Sequence, residues 1–322
     1  MFTGYMKQKT NILLCLTLFS LLAINLNSKA QSFHIELTIE NQPDNPILFG
    51  WVQGDDFNII DSAKIDNSTK KVSFDFPSNA HPGTYRLIFG KTTYARIMDE
   101  APQQLDLIFN NENIVINTDF KSPVESLSII ESEENKVWYD FLLKDGPLYS
   151  DILNYEQIVN RYWKEGNEEK AIDAAGKYNQ LQLDRDVFVK ETVDKNLGLL
   201  ASVYIRNQRK PLLDGFLSET EREEFYRKNF FQNLNFSDDR LINSSVYSDN
   251  VFEYLTHYNN PEFTKEQREN AYIRAVDIVF QKVNNNEKVY QFLMRYMVNG
   301  FKMLELEKVV DYIKLKYNYK EP

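Results

Sequence analysis

The stretch VSFDFPSNAHPGTYRLIF (72–89) decides the fold class of the first half of the chain. Val72, Phe74 and Phe76 recur every second residue, Tyr85, Leu87 and Phe89 do the same, and HPGT (81–84) lies between them. A period of two puts alternate side chains on opposite faces, so each run reads as a half-buried strand, and the Pro-Gly pair punctuates them as a turn. Moving toward the N-terminus, Phe33, Ile35, Leu37 and Ile39 alternate with His34, Glu36 and Thr38; moving the other way, Leu105, Leu107 and Phe109 repeat the theme. Further turn signals stand at NQPDNP (41–46), QGDD (53–56) and DNSTK (66–70). Seven or eight short strands spaced in this way predict an antiparallel β-sandwich over residues 31–128.

Beyond residue 130 the period changes. Tyr272, Ala275, Val276, Val279, Phe280 and Val283 recur at spacings of three and four, as do Val289, Phe292, Leu293, Tyr296 and Met297. Each set makes one apolar helical stripe. Ser218 with Glu221, and Thr264 with Gln267, have the spacing of capping boxes, while Pro211 and Pro261 fall between helices. Between Glu168 and Arg209 one long helix or two would fit, given Gly176 and Gly198. The expectation is an α+β protein of two domains, with about seven helices filling residues 129–322 and the boundary near 122–132.

The N-terminus has the form of a secretory leader. Lys7 and Lys9 precede an apolar run from Ile12 to Ile24, and Ser28-Lys29-Ala30 offers a signal peptidase small residues for cleavage after Ala30. The initiator is Met1 or Met6. The run is too short to span a bilayer, for which about 20 apolar residues are needed. Cys15, the only cysteine, lies inside this run, so the mature chain is expected to hold no thiol and no disulfide. Loss of residues 1–30 removes three lysines and no acid, taking the formal net charge from -10 to -13. Such a charge disfavours nucleic acid and anionic lipid. A periplasmic or secreted protein with no stable membrane insertion is expected.

The mature chain resembles the N-terminal region of thioredoxin-like (TlpA/ResA-like) thiol-disulfide oxidoreductases of the Bacteroidetes type. The resemblance rests on VQGDDFNIIDSAKID (52–66), VSFDF (72–76), PGTYRLIF (82–89) and NENIVINTDF (111–120) in the β half, and on NFFQNLNFSDDRLINSSVYSDNVFEYL (229–255) and VYQFLMRYMVNGFKMLELEKVVDYIKLKYN (289–318) in the helical half. In those proteins the helical region is followed by a thioredoxin fold with a Cys-x-x-Cys pair, which this sequence does not contain. The resemblance therefore implies the accessory region without its catalyst, since a thiolate is the required nucleophile. It implies a binding or adaptor module whose partner is a periplasmic redox or envelope protein. The rivals are one chain of a split oxidoreductase, and a hydrolase using carboxylates such as Asp55 or Glu131.

Few residues mark a site. His34, His81 and His257 do not stand at a metal-binding spacing, and no cofactor motif is present. The acid runs Glu131-Ser132-Glu133-Glu134 and Glu221-Arg222-Glu223-Glu224 read as solvated faces and helix N-terminal turns, while Asp55-Asp56 follow Gly54 in a loop that lacks the spaced oxygen ligands of a calcium site. Asp238, Asp239 and Arg240 form the best polar cluster, either a charged contact in which Arg240 bridges a carboxylate or the N-cap of the next turn. Trp51, next to the Gly54 loop, is the candidate ligand-contacting aromatic, whereas Trp138 and Phe141 have core spacing. Asp61-Ser62-Ala63 resembles the O-glycosylation acceptor of the same bacterial group, with Ser62 as the acceptor.

Overall fold

The computed structural model describes residues 32–283 and 285–320. The leader, its cleavage site at Ala30 and Cys15 lie outside the described residues.

Eight strands form two four-stranded sheets. These are β1 (His34–Glu40), β2 (Ile47–Gln53), β3 (Asp56–Ala63), β4 (Lys71–Asp75), β5 (Gly83–Gly90), β6 (Gln103–Phe109), β7 (Ile114–Asp119) and β8 (Ser128–Glu131). One sheet runs β4-β1-β7-β8 and the other β3-β2-β5-β6. The second is antiparallel throughout. The first is mixed, which corrects the antiparallel expectation: Leu37 faces Val72 across an antiparallel pair but Ile116 across a parallel one. The reason is topological, because five strands intervene between β1 and β7 and leave ample chain for the crossover that a parallel pair demands. Side chains from both sheets meet in one apolar cluster, including Leu37, Phe49, Phe74, Leu87, Phe109 and Ile116. Phe76 and Phe109 stack at its centre with ring centroids 3.8 Å apart.

A short helix, α1 (Thr93–Ile97), joins β5 to β6, with the Thr92 hydroxyl accepting from the Ala95 N–H. The remaining α-helices follow the strands: α2 (Glu133–Lys164), α3 (Glu168–Lys195), α4 (Leu200–Arg206), α5 (Glu219–Asn229), α6 (Val246–Thr256), α7 (Lys265–Lys282), α8 (Glu287–Met303) and α9 (Glu307–Lys316). Among the described residues eight α-helices thus follow the strands, against an expectation of about seven. The region from Glu168 to Arg209 is two helices, separated by Asn196–Leu199, whereas Gly176 sits inside α3 without breaking it. Both capping boxes are formed, Ser218 with Glu221 and Thr264 with Gln267. Among the described residues no helix is long and apolar enough to cross a membrane.

The start of α2 is fastened to the outer edge of β6. The Asn135 side chain accepts from the Ile108 N–H and donates to the Ile108 carbonyl, both at 2.8 Å, as a neighbouring strand would. One turn on, the Tyr139 hydroxyl donates to the Asp106 carbonyl at 2.7 Å. Glu134, buried beside Asn135 in the chain, accepts from Asn110 and from the first two N–H groups of α4, those of Leu200 and Ala201. Elsewhere the β half meets the helices through glycines. Gly54, with φ of 60°, carries the turn between β2 and β3 against Phe292, and its N–H donates to the Ser244 carbonyl. At Gly83 a Cβ would lie 2.4 Å from the Asn243 carbonyl oxygen, so only glycine permits that approach.

Candidate functional site

Trp51 lies half-buried on β2, beside a depression of about 180 Å3 that it shares with His81, Tyr85 and Asn243. Asp238 caps the short 3-10 turn Asp239–Asn243, its carboxylate accepting from the Arg240 N–H, and the same carboxylate takes both arms of the Arg240 guanidinium at 2.8 and 2.6 Å. Cap and ion pair are thus one arrangement. The Arg240 guanidinium beside Asp238 holds its carboxyl below the usual range. Asp239 instead pairs with Lys288 at 2.7 Å. Arg240 and Lys288 edge an open groove of about 570 Å3 that also contains His81 and Asn243. The structure therefore brings Trp51 and the Asp238–Arg240 cluster to adjoining depressions where the β half meets the helices. Ser62 is exposed on β3 and does not line either depression, and its N–H donates to the Asp61 carboxylate.

A more enclosed site lies within the helical half. A cavity of about 320 Å3 opens between α2, α3, α5, α6 and the segment 209–213, a size within the range of small-molecule pockets. Part of its wall is the buried face of α3. Along α3 the buried positions run Ala171, Ala174, Ala175, Tyr178, Gln182, Arg185 and Val189, so Gln182 and Arg185 occupy places that the apolar period would give to core residues. Gln182 clasps the backbone of Leu213 with two hydrogen bonds, at 2.8 and 2.7 Å, which fixes the connecting segment as a wall.

The charges around this cavity are largely spoken for. Arg185 makes a buried two-armed bridge to Asp145, both bonds at 2.8 Å, and lies over the Tyr149 ring. Arg209 pairs with Asp186 at 2.8 Å. Lys210 pairs with Glu253 at 2.5 Å, and the Tyr226 hydroxyl donates to the same carboxylate. Glu223 lies 3.3 Å from His257, and that contact holds its carboxyl below the ordinary value. Burial pushes the Tyr149 phenol up to about 12 and raises those of Tyr178 and Tyr226 as well, so all three remain protonated donors.

Two groups stand apart. Arg222, 2 % exposed, donates to the Asn160 side chain and to the carbonyls of Gly215 and Leu217, all neutral. Half-buried Glu156 makes neither a hydrogen bond nor an ion pair among the described residues. Burial raises its carboxyl above the ordinary value; Arg222 and His257 oppose that rise, and Glu223 and Glu219 add to it. A carboxyl raised in the folded state costs stability at neutral pH, and the cost is relieved as pH falls through the raised value. Glu156→Gln is accordingly expected to raise the melting temperature at neutral pH. The gain should shrink on acidification and vanish below the ordinary carboxylate range; thermal melts across pH that show no gain at neutrality would contradict the burial argument.

No short stretch of sequence marks this cavity, because its wall is drawn from residues 149–257 on separate helices. The signal that was available is the occurrence of Gln182, Arg185 and Arg222 on buried helix faces. Among the described residues no group of three or more His, Cys, Asp or Glu side chains has the geometry to hold a metal ion. Compared with protein-family models, with curated proteins and with solved structures, the chain matches none of them.

Proposed function

We propose that this chain is an exported, non-catalytic binding module, in which a β-sandwich domain (31–128) supports a helical domain (129–322) that holds a small polar ligand. The observation that carries the reading is the helical cavity, most of whose lining charges are paired, while among the described residues half-buried Glu156 has no donor, buried Arg222 meets only neutral acceptors and exposed Glu219 has no ion pair. A site that has satisfied most of its polar groups and left a half-buried carboxylate facing a ligand-sized space is suited to recognition. The single apolar cluster shared by both sheets supports the sandwich reading. The leader read from residues 1–30 supports export.

Native mass spectrometry of the chain purified gently from an envelope fraction tests the binding reading. A species heavier than the bare chain by one small molecule is expected, and Leu153→Trp, which fills the cavity mouth from a half-exposed position, should abolish it. Bare chain alone would sink the reading. A second reading, adaptor to a periplasmic redox or envelope protein, draws on the groove that adjoins Trp51 and carries Arg240, Lys288 and Arg295. It fits the resemblance to the accessory region of thioredoxin-like oxidoreductases.

A further inference from the structure

We infer that the ligand of the helical cavity is an organic amine, bound as its ammonium ion with Glu156 as the recognition carboxylate. The inference rests on the ligand-binding reading and specifies its chemistry.

Three observations converge on that class. First, Glu156 faces the cavity without a donor from the chain, although a desolvated carboxylate gains most from a charged hydrogen-bond donor. A neutral hydroxyl would satisfy its lone pairs but leave its charge uncompensated. Second, the wall is acidic on balance. The cations Arg185, Arg209 and Lys210 are already matched by Asp145, Asp186 and Glu253, so the unmatched groups are Glu156, the exposed Glu219 and Arg222, with Glu223 shared only with His257. Arg222 is turned to neutral acceptors and offsets one of these negative charges from a distance. An anionic ligand would have to approach Glu156 and Glu223 with no cation left unpaired except one already engaged in three hydrogen bonds. Third, Tyr149, Tyr178 and Tyr226 provide aromatic wall, a surface that suits the methylene groups and the charge of an alkylammonium ion alike.

The groups that face Glu156 are Arg222, Glu219, Glu223 and Tyr226 from α5, His257 at the C-cap of α6, Tyr149 from its own helix and Tyr178 from α3. Of these only Arg222, and His257 when protonated, oppose a bound cation. Amine binding should therefore weaken on acidification, as Glu156, its carboxyl raised by burial, takes up a proton.

Isothermal titration of the mature chain with putrescine, butanediol and succinate, three four-carbon probes that differ in charge, provides the test. Putrescine is expected to bind at least about tenfold more tightly than either of the others, and Glu156→Gln to weaken it by about tenfold or more, the loss of one charge-assisted contact. Glu156→Gln keeps shape and removes only the charge, and its melting curve reports whether it is folded. Succinate or butanediol binding as tightly as putrescine, in a manner lost in Leu153→Trp, would overturn the amine assignment while leaving the cavity a binding site. Putrescine that gives no heat, or that binds Glu156→Gln unchanged, also overturns it. The native mass measurement decides the ligand-binding reading independently of all three probes.

Discussion

Asp145→Ala is expected to lose about 3–5 kcal/mol of stability in urea unfolding followed by far-ultraviolet circular dichroism, the usual cost of breaking a buried ion pair from one side. Asp145 is 8 % exposed and Arg185 is 6 % exposed. Both oxygens of Asp145 are engaged by the guanidinium, through Nε and Nη2. With the carboxylate gone, the guanidinium retains one carbonyl, that of Gln208 at 3.2 Å, and the Tyr149 ring, neither of which carries a compensating charge. The penalty is that of the orphaned cation, not of the lost pair as such. Replacing both partners by apolar residues, Asp145→Leu with Arg185→Met, should therefore cost much less than Asp145→Ala alone. A single-variant loss below about 1 kcal/mol would show that water reaches Arg185 and that the bridge is not desolvated.

Glu134→Ala is the second large effect, expected at about 3 kcal/mol or more in the same measurement, because three donors lose a buried, charged acceptor. Oε1 accepts from the Asn110 side chain at 2.7 Å and from the Leu200 N–H at 2.9 Å, while Oε2 accepts from the Ala201 N–H at 2.7 Å. Leu199, at the head of α4, provides no side-chain cap of its own, so Glu134 supplies from another helix what a local Ser or Asp would normally give. Glu134→Gln should be intermediate. It keeps the oxygen that serves two donors but turns an amide toward the third. If Gln and Ala variants unfold at the same urea concentration, the bonds to Oε1 contribute little.

Much of the architecture was legible because periodicity is a local property. The alternation of Ile35, Leu37 and Ile39, the switch to helical spacing after residue 130 and the two capping boxes all follow from neighbours within a few residues. Strand direction is different. Nothing around Ile116 announces that β7 will lie parallel to β1, since that depends on where β6 and β7 change sheets. The candidate site was less accessible still. Asp238 and Arg240 are two residues apart and their pairing is visible in the sequence, whereas Glu156 and Arg222 are brought to one cavity only by the α2, α3 and α5 packing. Glu134 stood within an acid run that reads as a solvated helix start, yet it is 2 % exposed, because the carboxylate is consumed by two segments distant in the chain.

Asn135 occupies the place of a ninth strand. By closing both backbone groups of Ile108 it blunts a border that would otherwise invite another chain to dock by backbone pairing. Severing the polypeptide ahead of α2 would strip that guard away, and the liberated N-terminal fragment would become adhesive toward copies of itself. Workers who dissect this protein into its parts should carry the cut past Tyr139, so that the fragment keeps its own stopper.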